Sequence, residues 1–155
     1  PSTYRKYALA SVTTHDLPPT AGYLQFEHVK LREQLHLLSG PVEEFQASAT
    51  DERDAMMDRL VESGLITPEV AGDVEGHIQE IVEAMHKMLL KSPSVLLQAA
   101  LVDGVGETRT QNQPGTCNEY PNWRIPLADG DGNVVPLEEL FGNTRLQEIA
   151  AIMRG

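Results

Sequence analysis

Residues 7–19 read YALASVTTHDLPP, and the fold class turns on them. Tyr7 to Thr14 are mostly small, apolar or β-branched, and the run stops at a polar turn closed by two prolines. A short apolar run of this kind predicts a strand over 7–14, buried in a parallel sheet covered on both faces. A second such run, VLLQAALV at 95–102, meets Asp103-Gly104 and predicts another buried strand. Between them, 21–92 reads as helical. Leu24, His28, Leu31, Leu35 and Leu38 fall near helical spacing, and Ser39-Gly40-Pro41 ends that helix. A second helix is predicted over 51–62, and Thr67-Pro68 supplies a cap followed by proline at the first helical position. Val74, Ile78, Ile81, Val82, Met85 and Leu89 make the clearest apolar stripe, with Lys87 and Lys91 suited to the dipole at its end. After the second strand come a long loop over 103–136 and a helix over 137–153, interrupted near Gly142-Asn143. The class is therefore α/β, predominantly helical. Two buried-type strands do not make a stable parallel sheet alone. Their neighbours are expected from upstream sequence or from another chain.

The composition narrows the function. The chain has 155 residues, 41% hydrophobic and 23% charged, as in a soluble globular domain. No run approaches the roughly 20 apolar residues that span a bilayer, and the opening PSTYRKYALA lacks the apolar core of a signal peptide. Starting at Pro1 without an initiator Met, the sequence reads as a fragment or a processed chain. A formal net charge of −11, from 23 acidic and 12 basic residues, disfavours nucleic acid and anionic membranes as partners. A neutral ligand such as a sugar is compatible with it. The single cysteine, Cys117, excludes an internal disulfide and a cysteine-based zinc site, and fits a reducing, cytoplasmic setting. No cofactor and no metal are called for.

Two segments are candidates for chemistry. Thr14-His15-Asp16-Leu17-Pro18-Pro19 places a carboxylate and an imidazole at the C-terminal end of the first strand, where barrel enzymes carry their catalytic groups. An Asp there is also an ordinary turn former. The second segment, NQPGTCNEYPNWR at 112–124, joins a Pro-Gly turn to the only Trp, flanked by Tyr120, Asn122 and Arg124. Aromatic faces beside fixed polar groups are what a sugar site needs. Trp123 itself reads rather as a buried anchor for the loop, and a loop of about 30 residues is expected to be functional.

Together, THDLPP beyond a strand and the pattern of Asn112, Pro114-Gly115-Thr116 and EYPNWR resemble the C-terminal part of the 4-α-glucanotransferase or amylomaltase family, in the α-amylase superfamily. The resemblance covers about 7–23 and 95–153, and leaves the middle helices unassigned. It implies a (β/α)8 barrel of which 7–14 and 95–102 are the seventh and eighth strands. It implies a retaining double displacement that moves α-1,4-glucan segments between maltooligosaccharides, with nucleophile and acid/base on one cleft. Asp16 matches the family's third carboxylate, which stabilises the transition state, His15 its adjacent sugar-binding imidazole, and Asn112 a polar residue of the same pocket. The nucleophile and acid/base lie on earlier strands, so the chain alone is expected to be inactive. Glu43-Glu44 and Glu138-Glu139 sit in helical contexts and read as solvated surface.

Other motifs are set aside. ADGDGN at 128–133 lacks the Gly and Glu that a calcium loop needs at its sixth and twelfth positions, where Val134 and Leu140 stand. Gly104-Val105-Gly106 is not followed by the third glycine of a dinucleotide fingerprint. His77 and His86 read as structural or solvated helical residues, and Cys117 has no sequence-evident base. The alternative to an enzyme segment is a non-enzymatic, acidic helical interaction module whose strands pair with a partner. In either case the open strand edges predict self-association of the isolated chain.

Overall fold

The computed structural model describes residues 1–155, and its helices build the core. Helices α1 (Thr20–Leu24), α2 (Glu27–Gln34), α3 (Val42–Glu62), α4 (Pro68–Gly72) and α5 (Ile78–Leu90) follow the first strand. Leu24, Met57, Leu60, Ile66, Val70, Ile81 and Val82 interlock there, and Ile149 from the C-terminal helix closes the cluster. Ile81, Val82 and Leu89 of the sequence stripe are buried, because residues three and four apart share one face of α5. Pro68 opens α4 behind Thr67, whose hydroxyl accepts the Val70 amide at 3.4 Å.

Two helical boundaries differ from the sequence reading. Helix α3 begins at Val42 rather than Asp51, since Pro41 precedes a first turn holding Glu43 and Glu44. Its N-terminal half buries only Ala49, so no apolar stripe marked it. The helix read through Leu24 to Leu38 is broken in two by Phe26, which adopts a left-handed φ of 60°. The Arg53 guanidinium lies 4.4 Å from the Phe26 ring centroid and holds the break against α3.

The sheet is small. Strands β1 (Leu9–Ser11) and β2 (Leu96–Gln98) pair in parallel with Leu9 opposite Leu96, Ala10 opposite Leu97 and Ser11 opposite Gln98. The strands read over 7–14 and 95–102 are thus three residues each. A strand extends only as far as its partner does, and β2 stops because the chain turns into helix α6 (Leu101–Val105). Short apolar runs do not separate strand from helix by periodicity; Gly106, at φ 81°, ends α6. Nor are the strands covered on both faces. Ala10 is buried, but Leu9 is 58% and Leu96 61% exposed.

The 103–136 region therefore opens inside a helix and continues as an irregular loop, with one antiparallel bridge between Ala128 and Val134. Asp129 takes the amides of Asp131 and Asn133, so the calcium-like motif is a turn closed on its own backbone. The closing segment is two helices, α7 (Leu137–Leu140) and α8 (Thr144–Arg154), because Asn143 caps α8 by accepting the Leu146 amide. No helix is long and apolar enough to cross a membrane.

Candidate functional site

The loop after β1 is tied back on itself. Thr13 donates its hydroxyl to the Pro18 carbonyl at 2.7 Å, and the Leu17 amide reaches Thr14 O at 3.2 Å. Pro18 and Pro19 fix φ at the exit, and Thr20 begins α1 directly after them. His15 and Asp16 project into solvent from the tip of this loop. Nε2 of His15 lies 3.2 Å from Oδ2 of Asp16. Oδ1 of Asp16 accepts a hydrogen bond from the Asn112 amide at 2.7 Å, between residues 96 positions apart. Asn112 and the 15–16 pair, read from separate motifs, thus meet at one carboxylate.

The loop that supplies Asn112 is stiffened from inside. Glu107 is wholly buried and accepts from the Thr108 and Arg109 amides, from two nitrogens of the Arg109 guanidinium and from the Ala128 amide. Donating to Glu107 raises the pKa of the Arg109 guanidinium above its usual value. Arg109 also donates to the Pro126 carbonyl at 2.8 Å, fastening the far end of the loop to its start. Within it, the Asn122 side chain bridges the Gln113 amide and the Thr116 hydroxyl. Tyr120 donates to Thr110 O at 2.6 Å, and burial raises its phenol pKa.

Trp123 departs from the sequence reading. It is 63% exposed rather than buried, with a left-handed φ of 61° and its amide on Gln111 O. A non-glycine residue at positive φ costs roughly 1–2 kcal/mol and persists only where neighbours impose it. The loop anchor is instead Tyr120. The indole lies beside the imidazole of His15, with ring centroids 5.4 Å apart and planes at 42°. The arrangement is an exposed carboxylate flanked by an imidazole and an amide, with an indole beside the imidazole. It can accept hydrogen bonds from hydroxyls and offer a ring face to a sugar.

Two buried carboxylates at the base of these loops escaped the sequence reading. Asp103 on α6 is buried, and its two oxygens accept the backbone amide (2.8 Å) and the hydroxyl (2.7 Å) of Thr20. Burial pushes its carboxyl above the usual aspartate range, against the opposing pull of Thr20 and of nearby His86. His86 is fully buried, with Nδ1 donating to Val82 O at 2.8 Å and Nε2 lying 3.8 Å from Asp103. Glu107 follows four residues after Asp103. The available signal was two acids inside an otherwise apolar turn, since buried acids are rare unless paired. The remaining acids lie elsewhere. Glu43 and Glu44 are exposed in the first turn of α3, as are Glu138 and Glu139 in that of α7. His77 is held at the surface beside Glu80, and Cys117 is exposed and free.

A family model described as 4-alpha-glucanotransferase matches residues 1–130. The 4-alpha-glucanotransferase of Mycobacterium tuberculosis H37Rv is 49% identical over 151 residues, covering 97% of this chain and 20% of the relative. That of Haemophilus influenzae Rd is 28% identical over 150 residues, covering 94% and 20%. A crystal structure of amylomaltase from Corynebacterium glutamicum superposes with a TM-score of 0.89 at 41% identity, over 98% of this chain and 22% of that one. The chain spans about a fifth of the length of the curated relatives it matches. These matches bear out the resemblance read from THDLPP and EYPNWR, and the structural one fits the helix-rich α/β class.

Proposed function

The chain belongs to the 4-alpha-glucanotransferase family, and from that premise we propose that Asp16 is one of the three carboxylates of a glucan-transferring active site. In this reading the chain is the C-terminal part of a (β/α)8 barrel, with β1 and β2 as its seventh and eighth strands. The substrate is an α-1,4-glucan or maltooligosaccharide, and the reaction a retaining double displacement. The observation that carries the proposal is the 2.7 Å hydrogen bond from Asn112 to Asp16, which unites the two motifs at one exposed carboxylate.

The division of labour follows from the surroundings. Retaining chemistry needs two carboxyl groups about 5 Å apart across the scissile bond. The acids at the base of the two loops, Asp103 and Glu107, are buried with their oxygens taken by the chain's own donors. Neither can attack an anomeric carbon. Asp16 is held to stabilise an oxocarbenium-like transition state by gripping sugar hydroxyls, while His15 and Asn112 orient the same sugar. The nucleophile and the acid/base belong to residues outside these 155. The half-open strand pair supports both a barrel setting, in which further strands cover Leu9 and Leu96, and self-association of the isolated chain. A cytoplasmic location fits a maltodextrin substrate and the free Cys117. The alternative, a non-enzymatic interaction module, leaves the Asp16–Asn112 contact without a purpose.

The test is Asp16→Asn in the full-length enzyme carrying these residues, assayed by maltotriose disproportionation. Turnover is expected to fall by about 10³-fold with the fold intact, as when a group acting mainly in the transition state is removed. Near-normal turnover would remove Asp16 from the chemistry. The 155-residue chain alone should release no glucose from maltotriose; robust formation of glucose and longer oligomers would overturn the assignment of the other two carboxylates.

A further inference from the structure

Asp16 is exposed, so its own contacts with His15 and Asn112 cannot fix where it stands relative to the rest of the fold. The loop bearing it is anchored at its base. Only three residues separate Asp16 from Thr20, and two of those three are prolines, so a displacement at Thr20 passes to Asp16 with little slack. Thr20 is held by Asp103 through both its amide and its hydroxyl, in a bond that joins residues 83 positions apart.

That bond is an expensive way to fill space. A buried carboxylate loses its hydration, and an apolar side chain of similar volume would often stabilise the fold as well or better. The carboxylate of Asp103 accepts hydrogen bonds only from Thr20, and its other polar neighbour, His86 Nε2, stands off at 3.8 Å. One turn later Glu107 anchors the loop that carries Asn112. The two sides also touch directly. A Cβ on Gly22 of α1 would collide with the backbone oxygen of Thr108.

We propose that Asp103 is a positioning residue for glucan transfer, and that the 103–107 segment sets the distance between Asp16 and Asn112 by holding one loop through Asp103 and the other through Glu107. Asp103 acts through Thr20 and touches no substrate. The inference rests on the site reading given above for Asp16.

The experiment compares Asp103→Asn, Thr20→Val, Thr20→Ser and Asp16→Asn in the full-length enzyme, with turnover expressed per folded molecule. Asp103→Asn should lower kcat for maltotriose on the order of 10²-fold, the scale of a misplacement of about 1 Å, with KM within about threefold of the parent. Thr20→Val, which keeps the shape and removes the hydroxyl, should lower kcat about tenfold, and Thr20→Ser should restore it. Added to Asp16→Asn, Asp103→Asn should cost less than about twofold more, because its effect passes through Asp16. Parental kcat in both Asp103→Asn and Thr20→Val overturns the positioning role, as does an undiminished further loss in the Asp16→Asn background. Loss of melting temperature with kcat per folded molecule unchanged overturns it too. Asp16→Asn at parental turnover is a separate result and brings down the site reading instead.

Discussion

Leu60 and Ile81 are wholly buried, whereas Leu9 and Leu96 stand more than half exposed on the strand pair. All four are aliphatic residues on regular elements. The helical body closes on itself, since α3, α4, α5 and α8 present faces that cover one another within this chain. The strand pair has one covered position, Ala10, and two open edges. The apolar stripe of a helix is satisfied by whichever helix packs on it, and here all of those helices lie within the 155 residues. In a parallel strand apolar character calls for partners that come from far along a chain. The candidate site lies on the open side, on loops that the closed side holds in place.

Truncation on the closed side should be the most damaging to stability. Leu60→Ala is expected to cost about 2–5 kcal/mol in urea unfolding, through the cavity left among Leu24, Met57 and Ile81. A loss below about 1 kcal/mol would mean that the helical body is not close-packed. Gly22→Ala tests the seam between the two regions, where α1 meets the Thr108 backbone. A backbone neighbour cannot yield as a flexible side chain can, so a loss of about 1–3 kcal/mol is expected, with weakened maltotriose turnover in the full-length enzyme. Parental stability would show that α1 shifts freely and that the two loops are not in register.

The effect of Asp103 should be smaller and visible in its pH dependence. Its pKa is raised in the folded state, chiefly by burial. The folded chain then holds the proton at pH values where the unfolded chain has released it. The contribution is fully present below the ordinary aspartate pKa of about 3.9 and is lost as pH rises through the folded value. The unfolding free energy of the parent, minus that of Asp103→Asn, should accordingly fall as pH rises from about 4 and then level off. A difference that rises over that range would mean a depressed pKa and a carboxylate already satisfied by Thr20. Smallest of all, Leu96→Asp should change the melting of the isolated chain by no more than about 0.5 kcal/mol, because nothing covers that side chain. It should nonetheless reduce association on gel filtration, since a charge on an exposed strand opposes edge pairing. A large loss of stability there would place Leu96 in a core that the exposed position denies.

The residues of the proposed site are picked out in the sequence by identity alone. His15, Asp16 and Asn112 were read from two motifs, and the structure brings them to one carboxylate. What was misread concerned environment. Trp123 reads from sequence as a buried anchor, yet Tyr120 ties the loop to Thr110 O and the exposed indole lies against His15. In the sequence Asp103 reads only as the end of the second strand and Glu107 as an ordinary loop residue. Their burial follows from where α6 packs, and no local pattern encodes that.

The sequence by itself determined that the middle of the chain is helical, the cap at Thr67, the interruption near Gly142-Asn143 and the two motifs that carry the family's signature. These rest on local chemistry: side chains three or four residues apart, a hydroxyl at a helix start, a proline after it. Only the tertiary structure decided that β2 stops at Gln98, that α6 follows it, and that Asp103 grips Thr20. A strand ends where its partner ends, and a buried carboxylate is satisfied by whichever donor the fold brings to it. Both are settled by contacts between residues more than 80 positions apart, which the order of residues along the chain does not display.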